Sequence, residues 1–422
     1  MELALTDEQR AWRERCRAFA DEAMRPASAH HDATGEYPVA VIQEARERGL
    51  FDFETIAGAA ADPDGLMLLL YAEELYRGCP GIAAAMGASA GAALLVAAEG
   101  TPEQAMRWGP ACFEGGGAVA LTEPGAGSDV RALATTARRD GDGWVLDGAK
   151  TMIGNGGIAA VTVVVATVDP AAGTGGQARF AVGRGAPGVR AQRQPTMGLR
   201  AAHLATLTFE GCRVDGDALL GGEERLARRL EHAHSGEERL ARRLGRARGG
   251  EQGAGRGPSA TSPERTRPLF AAGAVGIARA ALEWTLANAG PDRLREGWVE
   301  QAIGEVATEI DCARLLAWRA AWMLRNGHAL DRGEANMAKL KAADVATWAT
   351  GRLLDVAGPA GADRSCDLQR WLRDAKAFQL FEGTAEIERI NVARRLTAER
   401  ASTEDASRPE PAAAAVLATA GV

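Results

Sequence analysis

Thr122-Glu123-Pro124-Gly125-Ala126-Gly127-Ser128-Asp129 in mid-chain and Phe381-Glu382-Gly383-Thr384 near the C-terminus are the two stretches on which the reading of this chain turns. The first is a glycine-rich loop and the second supplies a carboxylate. Glycine carries no Cβ, so Gly125 and Gly127 let the backbone approach a bulky anionic ligand. The Ser128 hydroxyl, with free N–H groups beside it, suits a phosphate or the edge of a flavin. On spacing alone such a loop is more often an ordinary turn. A Glu beside Gly-Thr is, by the same standard, more often a solvated helix end.

Further runs surround these two. Gly148-Ala149-Lys150 through Ile153 is followed by Asn155-Gly156-Gly157, and Gly198-Leu199-Arg200 by Phe209-Glu210-Gly211-Cys212-Arg213-Val214. Leu372-Arg373-Asp374-Ala375-Lys376 lies just before the glutamate. In their order and distance these runs resemble the acyl-CoA dehydrogenase family, over about residues 1 to 400 apart from one stretch. The resemblance implies an α+β fold: an N-terminal helical domain, a middle β-barrel or sheet domain and a C-terminal four-helix bundle.

It also implies FAD and an acyl thioester substrate, carried by CoA or by an acyl carrier protein, dehydrogenated to the α,β-unsaturated product. That reaction needs a base beside Cα, while the β-hydrogen leaves as hydride to flavin N5. Glu382 is the matching base, and burial under an acyl chain would raise its pKa toward the working pH. Its own N–H would help polarise the thioester carbonyl. Some relatives place the base just before an Arg that aligns with Arg267; that position is Thr266, which cannot serve. The positions that carry over for FAD are the Thr122 to Ser128 loop, including Gly127, with Ser128 toward the pyrophosphate; Thr384; and Gln301, which in relatives reaches the cofactor across a dimer interface. Ser128, Phe381 and Gly383 carry over toward the substrate.

Departures from the family pattern cluster at the flavin. Met152 and Gly154 stand where relatives commonly have an aromatic residue and a Thr flanking the ring. Met can still cover an apolar ring. An Arg-x-x-Phe-Gly segment, whose Arg holds the neighbouring subunit's pyrophosphate, is here Gly290-Pro291-Asp292-Arg293-Leu294. A glycine-rich adenine loop has become Asp355-Val356-Ala357-Gly358-Pro359-Ala360-Gly361, where Pro removes a donor and stiffens the turn. Gly358 remains as the cofactor-side glycine. The altered elements are those a subunit lends its neighbour, so the expected homotetramer or homodimer stands beside a heteromer with a second dehydrogenase-like subunit.

Periodicity divides the chain. Thr6 and Gln9 have capping-box spacing, and Trp12, Cys16 and Phe19 share one helical face, opening an all-α region over 1–118. A β domain follows over 119–221, with Trp144-Val145-Leu146 after the Asp140-Gly141-Asp142-Gly143 turn, a β-branched run from Val161 to Val165, and alternation through Thr206 to Phe209. Helical spacing returns over 267–400. Between them, 222–266 contains Gly222-Glu223-Glu224-Arg225-Leu226-Ala227-Arg228-Arg229-Leu230, repeated from Gly236 to Leu244, then a Gly-, Arg-, Ser- and Pro-rich run. It reads as a solvated, locally duplicated insertion, with a basic arm toward an anionic partner as the functional alternative. The tail 401–422 is expected to be disordered.

The chain has 422 residues, enough for several domains around a sizeable core, and a net charge of −7 that argues against a nucleic-acid partner. Its six Cys form no Cys-x-x-Cys pair, which favours free thiols in a reducing compartment. His30-His31 has no ligand-spaced partner, and no metal is expected. No run approaches 18 uninterrupted apolar residues, so no membrane association is expected, and the start of the chain reads as cytoplasmic. An electron-transfer flavoprotein is the implied electron acceptor. Two other functions are weighed: a catalytically weak partner subunit, and a flavin-dependent monooxygenase on the same fold. The presence of Glu382 counts against both.

Overall fold

The computed structural model describes residues 3–235 and 263–407, with side chains through 398. The second repeat copy from Gly236 to Leu244, the run that follows it to residue 262 and the tail beyond 407 lie outside the described residues. The chain opens as the resemblance implies, with helices. Thr6 Oγ1 accepts from the Gln9 N–H at 3.1 Å and the Gln9 side chain accepts from the Thr6 N–H at 3.0 Å, a complete capping box that starts the Asp7–Phe19 helix. Trp12, Cys16 and Phe19 face the core from it. Helices Met67–Gly78, Pro80–Glu99 and Pro102–Glu114 follow.

Seven strands then form one sheet: β1 (Gly117–Ala120), β2 (Thr136–Asp140), β3 (Gly143–Ile153), β4 (Val161–Thr167), β5 (Gln177–Gly183), β6 (Val189–Arg193) and β7 (Ala205–Val214). The order is β1-β4-β2-β3-β7-β6, with β5 added to β4. The β2–β3 hairpin turns at Gly141, whose φ of 62° suits glycine. Along β7, Ala205, Leu207 and Phe209 are buried while Thr206 and Thr208 are less so, the period of two that a half-covered strand requires.

The C-terminal part is built on Pro263–Asn288, Gly297–Arg325, Glu334–Ala357, Asp367–Ala377 and Ala385–Ser407. Pro263–Asn288 packs directly on Met67–Gly78. A Cβ at Gly276 would lie 2.2 Å from the Glu73 carbonyl oxygen, so only glycine permits that approach. Around this crossing lies a cluster of buried charge: Arg279 pairs with Glu73 and Glu74, Arg314 with Glu73 at 3.0 Å, and Arg77 with Glu74 at 2.8 Å. Burial alone would raise Glu73, yet Arg314 and Arg279 hold its carboxyl below the usual range.

The sheet is latched to the helices at the Gly198-Leu199-Arg200 run. Leu199 N donates to Asp374 Oδ1 at 2.6 Å, and a Cβ at Gly198 would fall 2.4 Å from the Arg373 carbonyl oxygen. Arg373 pairs with Asp32 at 2.6 Å.

The structure modifies three expectations. The first repeat copy is not simply solvated: Gly222–His234 is a helix with Leu226 and Ala233 buried, and Arg229 Nε donates to the Gly175 carbonyl at 3.1 Å. The core helix begins at Pro263, inside the stretch assigned to the insertion, and the last helix runs to Ser407, into the 401–422 tail expected to be disordered. Pro80–Glu99 and Pro263–Asn288 are long and apolar enough to cross a membrane on composition alone, but half or more of each apolar window is buried inside the fold. Alanine and glycine let them serve as central packing helices.

Candidate active site

Glu382 sits where the chain leaves Asp367–Ala377 and enters Ala385–Ser407, at a φ of 54°, followed by Gly383 at 95°. A non-glycine residue in the left-handed region is held there by its surroundings. Thr384 Oγ1 accepts from the Ile387 N–H at 3.3 Å, capping the last helix. A Cβ at Gly383 would lie 1.9 Å from a Glu388 carboxylate oxygen. Glu388 is fully buried, paired with Arg267 at 3.1 Å and accepting from Asn336 Nδ2 at 2.6 Å. Lys339 Nζ donates to the Gly383 carbonyl. The Glu-Gly-Thr run is therefore clamped from beneath by a buried carboxylate and a buried ammonium.

Thr266 Oγ1 donates to Glu382 Oε2 at 2.9 Å. Burial pushes the Glu382 carboxyl above its ordinary range, while Thr266, Arg267 and Lys339 oppose the rise without cancelling it. Burial also lowers Lys339, to about 8, against the pull of Glu388. The Glu382 N–H has no acceptor among the described residues. Beside it, Phe381 meets Phe270 edge-on and Phe378 at a tilt, at centroid distances of 5.0 and 4.9 Å. The arrangement presents a carboxylate poised to take a proton, an unused N–H donor and an apolar wall.

The loop that begins at Thr122 is anchored by its own glutamate. Glu123 accepts from the N–H groups of Ala134 and Thr135 at 2.6 and 2.9 Å, and from Lys150 Nζ at 2.7 Å. Lys150 is fully buried and also donates to the Leu121 carbonyl. The Thr122 carbonyl accepts from Thr151 N at 2.8 Å, tying the loop to β3. Anchored this way, the loop leaves Gly125, Gly127 and Ser128 exposed, and a Cβ at either glycine would meet nothing within 4 Å.

Met152 follows on β3 with a φ of 58° and is 52% exposed. An apolar side chain held in left-handed backbone and offered outward suits the cover of a flat apolar ring. Gly154 faces Ala88 on Pro80–Glu99, its would-be Cβ 3.4 Å away. Asn155, also at positive φ, donates to the carbonyls of Ala85 and Gly117 at 2.9 and 3.0 Å and fixes this turn on the same helix. The open glycine loop and outward Met152 fit a flavin nucleotide.

Gln301 and Gly358 lie elsewhere. Gln301 is exposed and donates to Glu305 at 3.2 Å, and Gly358 has a φ of 66° at the end of Glu334–Ala357. Val299, Ala302 and Val356 pack together between them at one end of the helical bundle. Neither hydrogen-bonds to the Glu382 group among the described residues. Arg293 is engaged there, donating to the Val356 carbonyl at 3.2 Å, paired with Glu296 at 2.8 Å and lying over Trp298. Arg295 pairs with Asp292 at 3.3 Å. His31 Nδ1 bonds the Glu36 carbonyl oxygen, and no cluster of three metal-ligating side chains occurs among the described residues.

Sequence reasoning missed Thr266 as a partner of Glu382, and it missed Glu388, Lys339 and the Glu123–Lys150 pair. Only the last had a signal, since both residues sit inside quoted motifs; the others come from separate helices with no local pattern.

Comparison with known proteins is consistent along the chain. Family profiles match in sequence: acyl-CoA dehydrogenase N-terminal domain over residues 6–116, middle domain over 118–212 and C-terminal domain over 256–397. The short-chain specific acyl-CoA dehydrogenase, mitochondrial, of Bos taurus is 32% identical over 405 residues, covering 93% of this chain and 90% of that protein. Butyryl-CoA dehydrogenase from Megasphaera elsdenii superposes with a TM-score of 0.77 at 26% identity, covering 94% of this chain and all of that one (100%). The prolyl acyl carrier protein oxidase AnaB superposes at 0.76 with 27% identity, covering 93% and 100%.

Proposed function

The chain belongs to the acyl-CoA dehydrogenase family, whose members are FAD-dependent oxidoreductases, and from that premise we propose that it oxidises an acyl thioester to the α,β-unsaturated thioester with Glu382 as the base. The observation that carries this reading is the Glu382 carboxylate itself: raised by burial, fixed at one oxygen by Thr266 and flanked by an unused N–H. Glu382 takes the α-proton on the oxygen that Thr266 leaves free. Its N–H donates to the thioester carbonyl oxygen and stabilises the negative charge that develops there as Cα–H breaks. The Phe381 ring and its neighbours exclude water from that step.

FAD, when bound, accepts the β-hydrogen as hydride. Thr122, Gly127 and Ser128 would hold it through the open loop, Met152 and Gly154 would flank its ring, and Thr384 lies after the base. Ser128, Phe381 and Gly383 are the substrate-side contacts of the proposal. The electron acceptor is an electron-transfer flavoprotein, the carrier is CoA or an acyl carrier protein, and the compartment is the cytoplasm.

The test is anaerobic addition of acyl thioesters to purified protein. Bleaching of the flavin band that is lost in Glu382→Gln, by about 10²-fold or more in rate, supports the assignment. Equal bleaching in that variant defeats it.

A second reading is favoured by the commitment of Arg293, in the altered Gly290–Leu294 segment, to Glu296, Trp298 and the Val356 carbonyl. Here the chain completes its cofactor site only beside a second, complementary dehydrogenase-like subunit. Purification alone as a homo-oligomer with one FAD per chain would exclude this.

A further inference from the structure

Tyr76 is a polar group with no protein partner near the proposed base. It lies on Met67–Gly78 and is 7% exposed. Its ring packs on Gly273, whose would-be Cβ is 2.8 Å from Tyr76 Cδ2, and on Phe378 edge-on at 5.3 Å. Glu382 is close enough for its charge, after burial itself, to push the phenol upward. Its side chain is buried and the hydroxyl forms no hydrogen bond among the described residues.

The surroundings indicate where the Tyr76 hydroxyl is directed. A Cβ at Gly87 would stand 3.8 Å from it, so Gly87 leaves room beside the oxygen. The next residue on that helix, Ala88, touches Gly154 at the flavin side of the candidate site. Tyr76 thus stands against the Phe378–Phe381 wall and beside the helix whose Ala88 meets Gly154, at the edge of the space where the acyl group of the proposed substrate would lie.

We propose that Tyr76 determines which acyl group this chain accepts: its ring closes the far end of the space, and its hydroxyl donates to an oxygen carried beyond the β-carbon of a short acyl thioester. This rests on the acyl-thioester reading above. A plain alkyl chain would strip water from the hydroxyl and return nothing, whereas an oxygen-bearing chain replaces that water. A site with a buried donor discriminates against the analogue that lacks the acceptor.

The test compares 4-hydroxybutanoyl-CoA with pentanoyl-CoA, thioesters of equal chain length that differ by an oxygen in place of a methylene. Dissociation constants are measured by calorimetry in Glu382→Gln holoenzyme, where turnover is blocked. The hydroxylated thioester is expected to bind roughly tenfold tighter. Adding Tyr76→Phe, which keeps the ring on Gly273 and Phe378, should bring the ratio close to one. Gly87→Ala, which narrows the space beside the hydroxyl, should weaken the hydroxylated thioester selectively. A ratio near one in the parent, or a preference that survives Tyr76→Phe, overturns the proposal. Failure of the dehydrogenase reading would show separately, as wild-type protein whose flavin neither thioester bleaches.

Discussion

Thr266 and Glu382 are 116 positions apart in the chain, and the threonine hydroxyl donates to the glutamate carboxylate at 2.9 Å. The threonine comes from the first turn of Pro263–Asn288 and the glutamate from the turn before Ala385–Ser407. A hydroxyl cannot take the α-proton, but it can hold the carboxylate proposed to do so.

Thr266→Val should therefore slow the reaction without abolishing it. Thr266 favours the ionised form of Glu382, and its loss would lift the carboxyl further above the ordinary range. A base works only when deprotonated, so the rate rises with pH through the Glu382 pKa, and the variant's rising limb should move to higher pH. At neutral pH the rate should fall by roughly threefold to tenfold. An unshifted kcat/KM profile would show that the hydroxyl has no hold on the base.

Gly383→Ala meets two obstacles at once: a φ of 95° and a Cβ placed 1.9 Å from the buried Glu388 carboxylate. The cost of the backbone conformation alone is on the order of 1–3 kcal/mol. Thermal melting should fall by several degrees, with loss of flavin bleaching as Glu382 is displaced. A variant that melts like the parent would mean that the Glu388 clamp yields freely.

Asp374 links pH to stability. Burial raises its folded pKa to about 6 from 3.8, despite the Leu199 N–H it accepts and the nearby Arg373 and Arg370. Because the folded value lies above the unfolded one, its contribution to stability is present below about pH 4 and is lost as pH rises through about 6. Asp374→Asn keeps an acceptor for Leu199 and has no proton to lose. Denaturation between pH 4 and 7 should show a stability decline of about 2 kcal/mol that is absent in the variant. Parallel curves would place the titration elsewhere.

Lys150→Met would leave Glu123 as a buried carboxylate without its ammonium, held only by the Ala134 and Thr135 N–H groups and the Thr135 side chain. Breaking a buried pair in this way costs about 3–5 kcal/mol. Because Glu123 anchors the glycine loop, FAD content should fall along with stability. Retention of full flavin content in a destabilised protein would show that the pair supports the fold but not the cofactor site.

Much of the architecture was readable before any coordinates. The capping box at Thr6, the core stripe of Trp12, Cys16 and Phe19, and the alternation around Leu207 and Phe209 are local patterns, and local patterns reflect hydrogen bonds and burial within a few residues. The Gly222–His234 helix was harder to read: the repeat looked solvated because only Leu226 and Ala233 of that segment are buried, against a surface the sequence does not display.

By itself the sequence determined the order of helices, sheet and helices, the glycine loop and the presence of one carboxylate in its motif, since each is encoded in contiguous residues. Tertiary structure alone decided what that carboxylate feels. Thr266, Arg267 and Lys339 come from two separate helices, and their effect on Glu382 depends on distances of a few ångströms and on exclusion of water. Electrostatic and desolvation energies at such range are set by three-dimensional neighbours, whatever their separation along the chain.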